Sequence, residues 1–214
     1  MDFATARQKM IDGQIRPNQV TDQRLLAALA ELPREDFVPE GLRALAYVDE
    51  DIPLGNGRAL MEPMVFARLV QAADVAEGTR ALVVAAGSGY GAAVLARMGA
   101  RVVALEAPGP MAERLATLGG GVTVAVGPLA DGWAAAAPYD VILIDGAVEV
   151  IPPALTAQLA EGGRLVTVRA SGRRGVLGRA VRLLAVAGTV TELPLFDAGT
   201  PTLPEFRRAP AFVF

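Results

Sequence analysis

The chain predicts an α/β fold: a mostly parallel, doubly wound sheet with an antiparallel edge hairpin and N-terminal helices in front of it. Three observations predict this. From residue 80, strand-like runs at 81–85, 101–105, 122–126, 139–144 and 164–168 alternate with helical patterns at 89–98, 109–117 and 152–160. That alternation implies parallel strands joined by right-handed crossovers. The stretch 176–196 instead carries strand-like runs on either side of an Ala-Gly pair at 187–188, which suits an antiparallel pair at the sheet edge. Some eighty residues before the first strand read as helices and a long loop.

Residues 2–12 have helical character up to Gly13. "TDQRLLAALAEL" places Leu25, Leu26, Leu29 and Leu32 on one face, with Thr21 as the expected N-cap and Pro33 as the stop. Residues 33–63 are rich in Pro and Gly, and a loop of that length inside a compact domain is either functional or poorly ordered. "MVFARLVQAADVA" then predicts a helix over 64–75. Two units follow from this: residues 1–63, N-terminal helices and a long loop packed on the main domain, and residues 64–214, the main α/β domain.

Composition removes whole classes of chemistry. Hydrophobic residues make up 52% of the 214-residue chain and charged ones 20%, as in a globular protein. There is no Cys and no His. Disulfides, Cys nucleophiles, His general bases and His/Cys metal sites are therefore excluded, and no metal site is expected. Net charge is −3, which gives no general attraction to nucleic acid or to an acidic membrane. Arg164, Arg169, Arg173, Arg174, Arg179 and Arg182 cluster in sequence and are expected on a solvated face. The apolar runs are interrupted by charges, and "MDFATARQKM" lacks the apolar core of a signal peptide, so a cytoplasmic location is expected.

The stretch "RALVVAAGSGYGAAVLARMGARVVALEA" (80–107) is the informative one. A glycine turn at the carboxyl end of a first parallel strand sits where open α/β sheets bind ligands. Gly87 and Gly89 let the backbone approach a ligand, and the following helix offers free N–H groups. Glu106 ends the second strand, nineteen positions after Gly87, a spacing that suits a carboxylate accepting from two ribose hydroxyls. Gly87, Gly89 and Ala92 also satisfy the dinucleotide pattern G-x-G-x-x-G/A, so a nicotinamide-dependent enzyme stands as an alternative on the turn alone. Against it, no second βαβαβ half follows.

Three blocks, in order and at matching spacing, resemble the protein-L-isoaspartate O-methyltransferase family of S-adenosylmethionine-dependent enzymes. "LPREDFVPEGLRALAYVDEDIPLGNGRALMEP" is similar to the family's "VPRexFVP…AYxDxPLPIGxGQTISxP"; "GSGYGAAVLARM" to its "GTGSGYQTAVLA"; and "DGWAAAAPYDVILIDGAVEVIPPALTAQLAEGGRLV" to its "GDGxxGxxxxAPYDxIxVTAAxxxIPxALxxQLxxGGRLV". The likeness implies a Rossmann-like methyltransferase fold, S-adenosyl-L-methionine as cofactor with S-adenosyl-L-homocysteine as product, and protein or peptide substrates bearing isoaspartyl residues. It fades after about residue 170. The resemblance places Ala85, Gly87, Ser88, Gly89 and Tyr90 in the cofactor turn, and Glu106, with Ala107 beside it, at the ribose. It places Asp131 and Gly132 near the adenine. Asp145 stands where the family has a small or hydroxyl residue; it either faces the active-site cleft or caps the next turn.

Two departures stand out. Val83 and Ala85 occupy the places of the family's acid and first glycine. In the substrate loop, Ala59 replaces its Thr and Met61 its Ser, the residues that hold the substrate carboxylate, and Glu62 follows. A carboxylate acceptor is already ionised at neutral pH, so the reaction needs positioning and water exclusion and no general base. A flat pH–rate profile between about pH 6 and 8 is then expected in the absence of His. Arg58 is the residue that could supply a charge-assisted donor in place of the lost hydroxyls, unless it is an exposed loop residue. With these catalytic positions (Arg58, Ala59, Met61) so altered, an inactive cofactor-binding scaffold is the other alternative.

Overall fold

The computed structural model describes residues 2–117, 119–172 and 176–208. Helix α1 (Phe3–Met10) starts at Asp2, whose carboxylate accepts from Thr5 N at 3.2 Å. Gly13 does not stop it: the chain continues through a wider turn at 11–15, because Ile11 and Ile15 on that turn are fully buried. Helix α2 (Gln23–Glu31) is capped by Asp22 and not by Thr21. Its carboxylate reaches both Arg24 N (2.9 Å) and Leu25 N (3.3 Å), and a charged acceptor suits the positive end of a helix better than a hydroxyl. Leu25, Leu26 and Leu29 are buried as the spacing predicts.

The long 33–63 segment is ordered. Two 3₁₀ stretches, Arg34–Phe37 and Glu40–Leu45, lead into a small hairpin of β1 (Ile52–Gly55) and β2 (Arg58–Leu60). Helix α3 (Pro63–Ala73) follows, with proline at its first position, where a missing N–H is harmless.

The main sheet is built from β3 (Arg80–Val84), β4 (Arg101–Glu106), β5 (Val122–Val126), β6 (Tyr139–Val148), β7 (Leu159–Arg169), β8 (Gly178–Val186) and β9 (Thr189–Ala198). Their spatial order is β5-β4-β3-β6-β7-β8-β9. The first five run parallel, and β8 and β9 add antiparallel neighbours, the expected edge hairpin. Helices α4 (Tyr90–Arg97), α5 (Pro110–Leu115) and α6 (Pro153–Thr156) lie in the crossovers. The chain order reverses at β3, so the carboxyl ends of β3, β4 and β6 frame the crevice where such sheets bind ligands.

One helix is much shorter than its pattern: 152–160 was expected, and α6 holds only 153–156. Gln158 explains it. Its side chain donates to the Asp131 carbonyl (2.7 Å) and accepts from Trp133 N (2.8 Å), and Leu159 already pairs with Tyr139 of β6, ahead of a bulge that ends where Arg164 pairs with Val141.

The apolar interior lies on both faces of the sheet. Val83, Val94 and Leu95 pack with α2 and α3 residues such as Leu25, Phe66 and Leu69 on one face; Leu82, Val84, Ile142, Ile144 and Leu165 form the other. Arg164, Arg169 and Arg179 each pair with an acid (Asp74, Glu192 and Asp197), in keeping with a solvated face. Arg182 departs from that expectation, being half-buried on β8 with its Nε shut off from solvent and without a hydrogen bond. Arg173 and Arg174 lie outside the described residues.

Candidate active site

The turn after β3 is the first component. Gly87 and Gly89 both take the left-handed conformation, at φ +55° and +86°. So does Ala85, at φ +61°, a conformation that crowds a Cβ against the following carbonyl oxygen. The departure read from the sequence is therefore a real local strain. Ser88 and Tyr90 are buried, and Tyr90 packs edge-on against Phe37 at 5.2 Å and against Phe66 at 5.4 Å.

Glu106 closes β4 beside this turn, 2% exposed. Its Oε2 accepts from Gly87 N at 2.8 Å and its Oε1 from Ala107 N at 2.9 Å. Arg58 completes the set: Nη2 donates to both oxygens, at 2.5 and 2.6 Å. Arg58 is thus no exposed loop residue, being 6% exposed. A carboxylate offers about four acceptor positions, and all four are engaged here.

The hairpin that delivers Arg58 is fixed from outside by the C-terminal segment. Pro204 would lie 3.1 Å from a Cβ on Gly57, at the hairpin tip, and Glu205 sits 3.7 Å from Arg58 Nη1. Thr200 Oγ1 donates to Asp51 Oδ1 at 3.0 Å, and Leu203 N bonds the Ala147 carbonyl at 2.8 Å. Residues 200–206, which matched no pattern in the sequence, form a roof over the site.

Of the substrate-loop positions, Met61 is 1% exposed, its side chain in the core and not on the cleft. Its carbonyl accepts from Arg34 Nη2 at 2.6 Å, while Arg34 Nε bonds the Ala46 carbonyl at 2.7 Å. Arg34 is itself buried, with its guanidinium 4.9 Å from the centre of the Tyr90 ring. Sequence reasoning missed it, although it stands in the "LPREDF" block that carried the resemblance. Ala59 is half-buried on β2; with Arg58, Asp51 and Pro201 it lines a cavity of about 240 Å³. Glu62 is half-buried, and burial together with Asp49, Asp51 and Glu50 pushes its pKa up to about 7.

Asp145 lies on β6 one residue beyond the last pairing with β3, Val84 to Ile144. The β6–β7 register slips between Leu143 and Ala147, and this bulge turns the Asp145 side chain onto Gly91 in the first turn of α4. It does not cap a turn. Burial pushes its pKa up to about 7 despite the opposing pull of Arg58 and Arg34. The flat pH profile expected from the lack of His therefore does not follow, because two carboxyls titrate near neutrality. On the far side, Asp131 is exposed and Gly132 is buried against Gln158.

A parallel sheet with a glycine turn at its switch point and a buried acid ending the adjacent strand is the architecture of an S-adenosylmethionine-dependent methyltransferase. Two solved structures share it: a protein-L-isoaspartate O-methyltransferase (TM-score 0.77, 22% identity, 92% of this chain and 65% of that one) and a putative one from Plasmodium falciparum in complex with S-adenosyl-L-homocysteine (TM-score 0.76, 16% identity, 96% and 99%). This chain thus spans about two thirds of the first. The family model for protein-L-isoaspartate(D-aspartate) O-methyltransferase matches residues 5–182. A protein-L-isoaspartate O-methyltransferase from Methylorubrum populi is 44% identical over 165 residues, 75% of this chain and 78% of the relative; one from Opitutus terrae is 39% identical over 165 residues, 75% and 71%. The chain belongs to the protein-L-isoaspartate O-methyltransferase family. Among the described residues, no helix is long and apolar enough to cross a membrane.

Proposed function

We propose that the protein methylates the free carboxylate of isoaspartyl residues in proteins or peptides, as a cytoplasmic repair enzyme, with S-adenosylmethionine as donor. The observation that carries this reading is Glu106, buried at the end of β4 and hydrogen-bonded to the glycine turn through Gly87 N. A carboxylate in that place is matched to the two hydroxyls of a ribose. The residues present fit the cofactor: Glu106 for the ribose, Ala85 to Tyr90 for the chain-like end, Ala107, Asp131 and Gly132 toward the base. When bound, it supplies an electrophilic methyl group.

The chain's own residues have then to orient an oxygen that is already an anion. Ala59 and Met61 offer no donor. Arg58, on β2, is the cation beside Glu106: were that carboxylate to accept from a ribose, the guanidinium would be free to hold the acceptor carboxylate by a charge-assisted pair. Binding is then ordered, cofactor first. Segment 200–206, tied to Asp51 and Ala147, lies over the hairpin, where it would limit water around an acceptor and so strengthen that pair. Residues 1–63 carry this substrate loop and 64–214 the cofactor site. Methyl ester formation on an isoaspartyl peptide, with its aspartyl twin as control, tests the reading: turnover on the first alone supports it, and equal or absent turnover on both refutes it.

A further inference from the structure

Two buried groups of opposite charge beside the turn lack the partners that burial demands. Asp145 is 8% exposed and its Oδ1 has no hydrogen bond; Arg34 is 1% exposed and its Nη1 has none. Among the described residues no salt bridge joins the two. Both lie against the first turn of α4. Asp145 Oδ2 is 3.0 Å from where a Cβ would stand on Gly91, and the Arg34 guanidinium covers the ring of Tyr90. The two attract each other, yet each keeps a buried polar atom without a hydrogen bond, and an orphaned acceptor and an orphaned donor at one place point to a ligand that satisfies both.

A ligand with a cation and an anion close together is an α-amino acid. The isoaspartyl acceptor does not qualify, because its nitrogen is tied up in a peptide bond. The methionine end of the cofactor does. We infer that Asp145 receives the α-ammonium group of that end and Arg34 its α-carboxylate. The chain thus uses β6 for the charge that Val83, deep in the core on β3, does not provide. Gly91 belongs to the same device: a Cβ there would stand 3.0 Å from Asp145 Oδ2, so the carboxylate would have to give way.

This inference rests on the cofactor reading, and calorimetry separates the two. The probes are S-adenosylhomocysteine, its des-amino analogue, its decarboxylated analogue and methylthioadenosine, which lacks the amino-acid end. Wild type should bind S-adenosylhomocysteine roughly ten- to a hundredfold more tightly than either analogue, the factor for one charge-assisted bond. Asp145→Asn should lose that factor for S-adenosylhomocysteine, bind the des-amino analogue and methylthioadenosine as wild type does, and still discriminate against the decarboxylated analogue. Wild type that does not distinguish the des-amino analogue overturns the assignment without any variant. So does an Asp145→Asn protein weakened equally toward all four, which would mean a merely structural role. If wild type binds none of the four, methylthioadenosine included, the cofactor reading itself fails.

Discussion

Arg58 and Glu106, forty-eight positions apart in sequence, form a buried ion pair in which one guanidinium nitrogen bonds both carboxylate oxygens. The two backbone donors Gly87 N and Ala107 N take the remaining acceptor positions. On the proposed reading, a ribose would take Glu106 by displacing Arg58, since the two backbone donors are fixed in place.

Arg58→Gln should move two affinities in opposite directions. S-adenosylhomocysteine should bind more tightly, because its site no longer has an internal competitor. Affinity for the isoaspartyl peptide in the presence of S-adenosylhomocysteine should fall by about tenfold or more, the loss of a charged hydrogen bond. Calorimetry reads both. A parallel fall in the two affinities would count against the exchange of partners.

Ala85→Gly should stabilise the protein. At φ +61° an L-residue carries about 1 kcal/mol of strain that glycine does not. The gain is partly offset by glycine's greater freedom in the unfolded chain. A rise of a few degrees in Tm, with unchanged unfolding cooperativity, is the expected result; a fall would show that the methyl contributes more packing than strain.

The strand–turn–helix pattern made the sheet, the glycine turn and the acid beside it legible, because glycine and a strand-ending acid are local signals. Local signals also misled at 152–160, where helical spacing was overridden by Gln158 reaching across to Asp131 and Trp133. What could not be read was any contact set by distant parts of the chain. Nothing near Arg58 announces Glu106 as its partner, and nothing in "GTPTLPEF" announces a roof over the hairpin. Arg34 was hidden for another reason: a fully buried guanidinium looks in sequence like any surface arginine. Asp145 was visible as a departure from pattern, but its direction depended on a bulge in β6 that sequence does not mark.

Asp145 should make stability depend on pH. Its pKa is raised to about 7, so the folded protein holds the proton more tightly than the unfolded chain, where the value is about 3.9. Below about pH 4 both states are protonated and the group has no net effect; its cost grows as pH rises and is complete above about 7. In the absence of cofactor, Asp145→Asn should therefore be more stable than wild type at pH 8, by on the order of 2–4 kcal/mol, and the difference should vanish toward pH 4. Denaturant melts at several pH values test this, and a constant difference would exclude it.

Glu62 should oppose the acceptor as it ionises. Burial and the neighbouring Asp49, Asp51 and Glu50 hold its pKa near 7, so its negative charge appears across the working range. The KM for an isoaspartyl peptide should rise between pH 6 and 8. Glu62→Gln should remove most of that rise, with little effect at pH 6. Steady-state assays on both proteins decide the point, and identical pH profiles would place Glu62 away from the acceptor.

The double change Ala59→Thr with Met61→Ser returns the hydroxyls of the family pattern, and its outcome depends on where those positions point. Ala59 is half-buried beside the cavity that also touches Arg58, so a threonine there gains a donor at small structural cost. Met61 is different. Its side chain fills core space, and shortening it to serine leaves a cavity and a buried hydroxyl, together about 2–5 kcal/mol. Each restored donor to a charged oxygen is worth about 1.5–3 kcal/mol in the transition state, or roughly ten- to a hundredfold in rate. Ala59→Thr alone should therefore raise kcat/KM on an isoaspartyl peptide without lowering Tm. Met61→Ser should lower Tm by several degrees, and should raise the rate only if the loop repacks to bring the hydroxyl to the cleft. Measured in the Arg58→Gln background, the gain from Ala59→Thr should be larger, because the hydroxyl then replaces the only other donor. If Ala59→Thr changes the rate in neither background, β2 does not face the acceptor, and Arg58 alone positions the carboxylate.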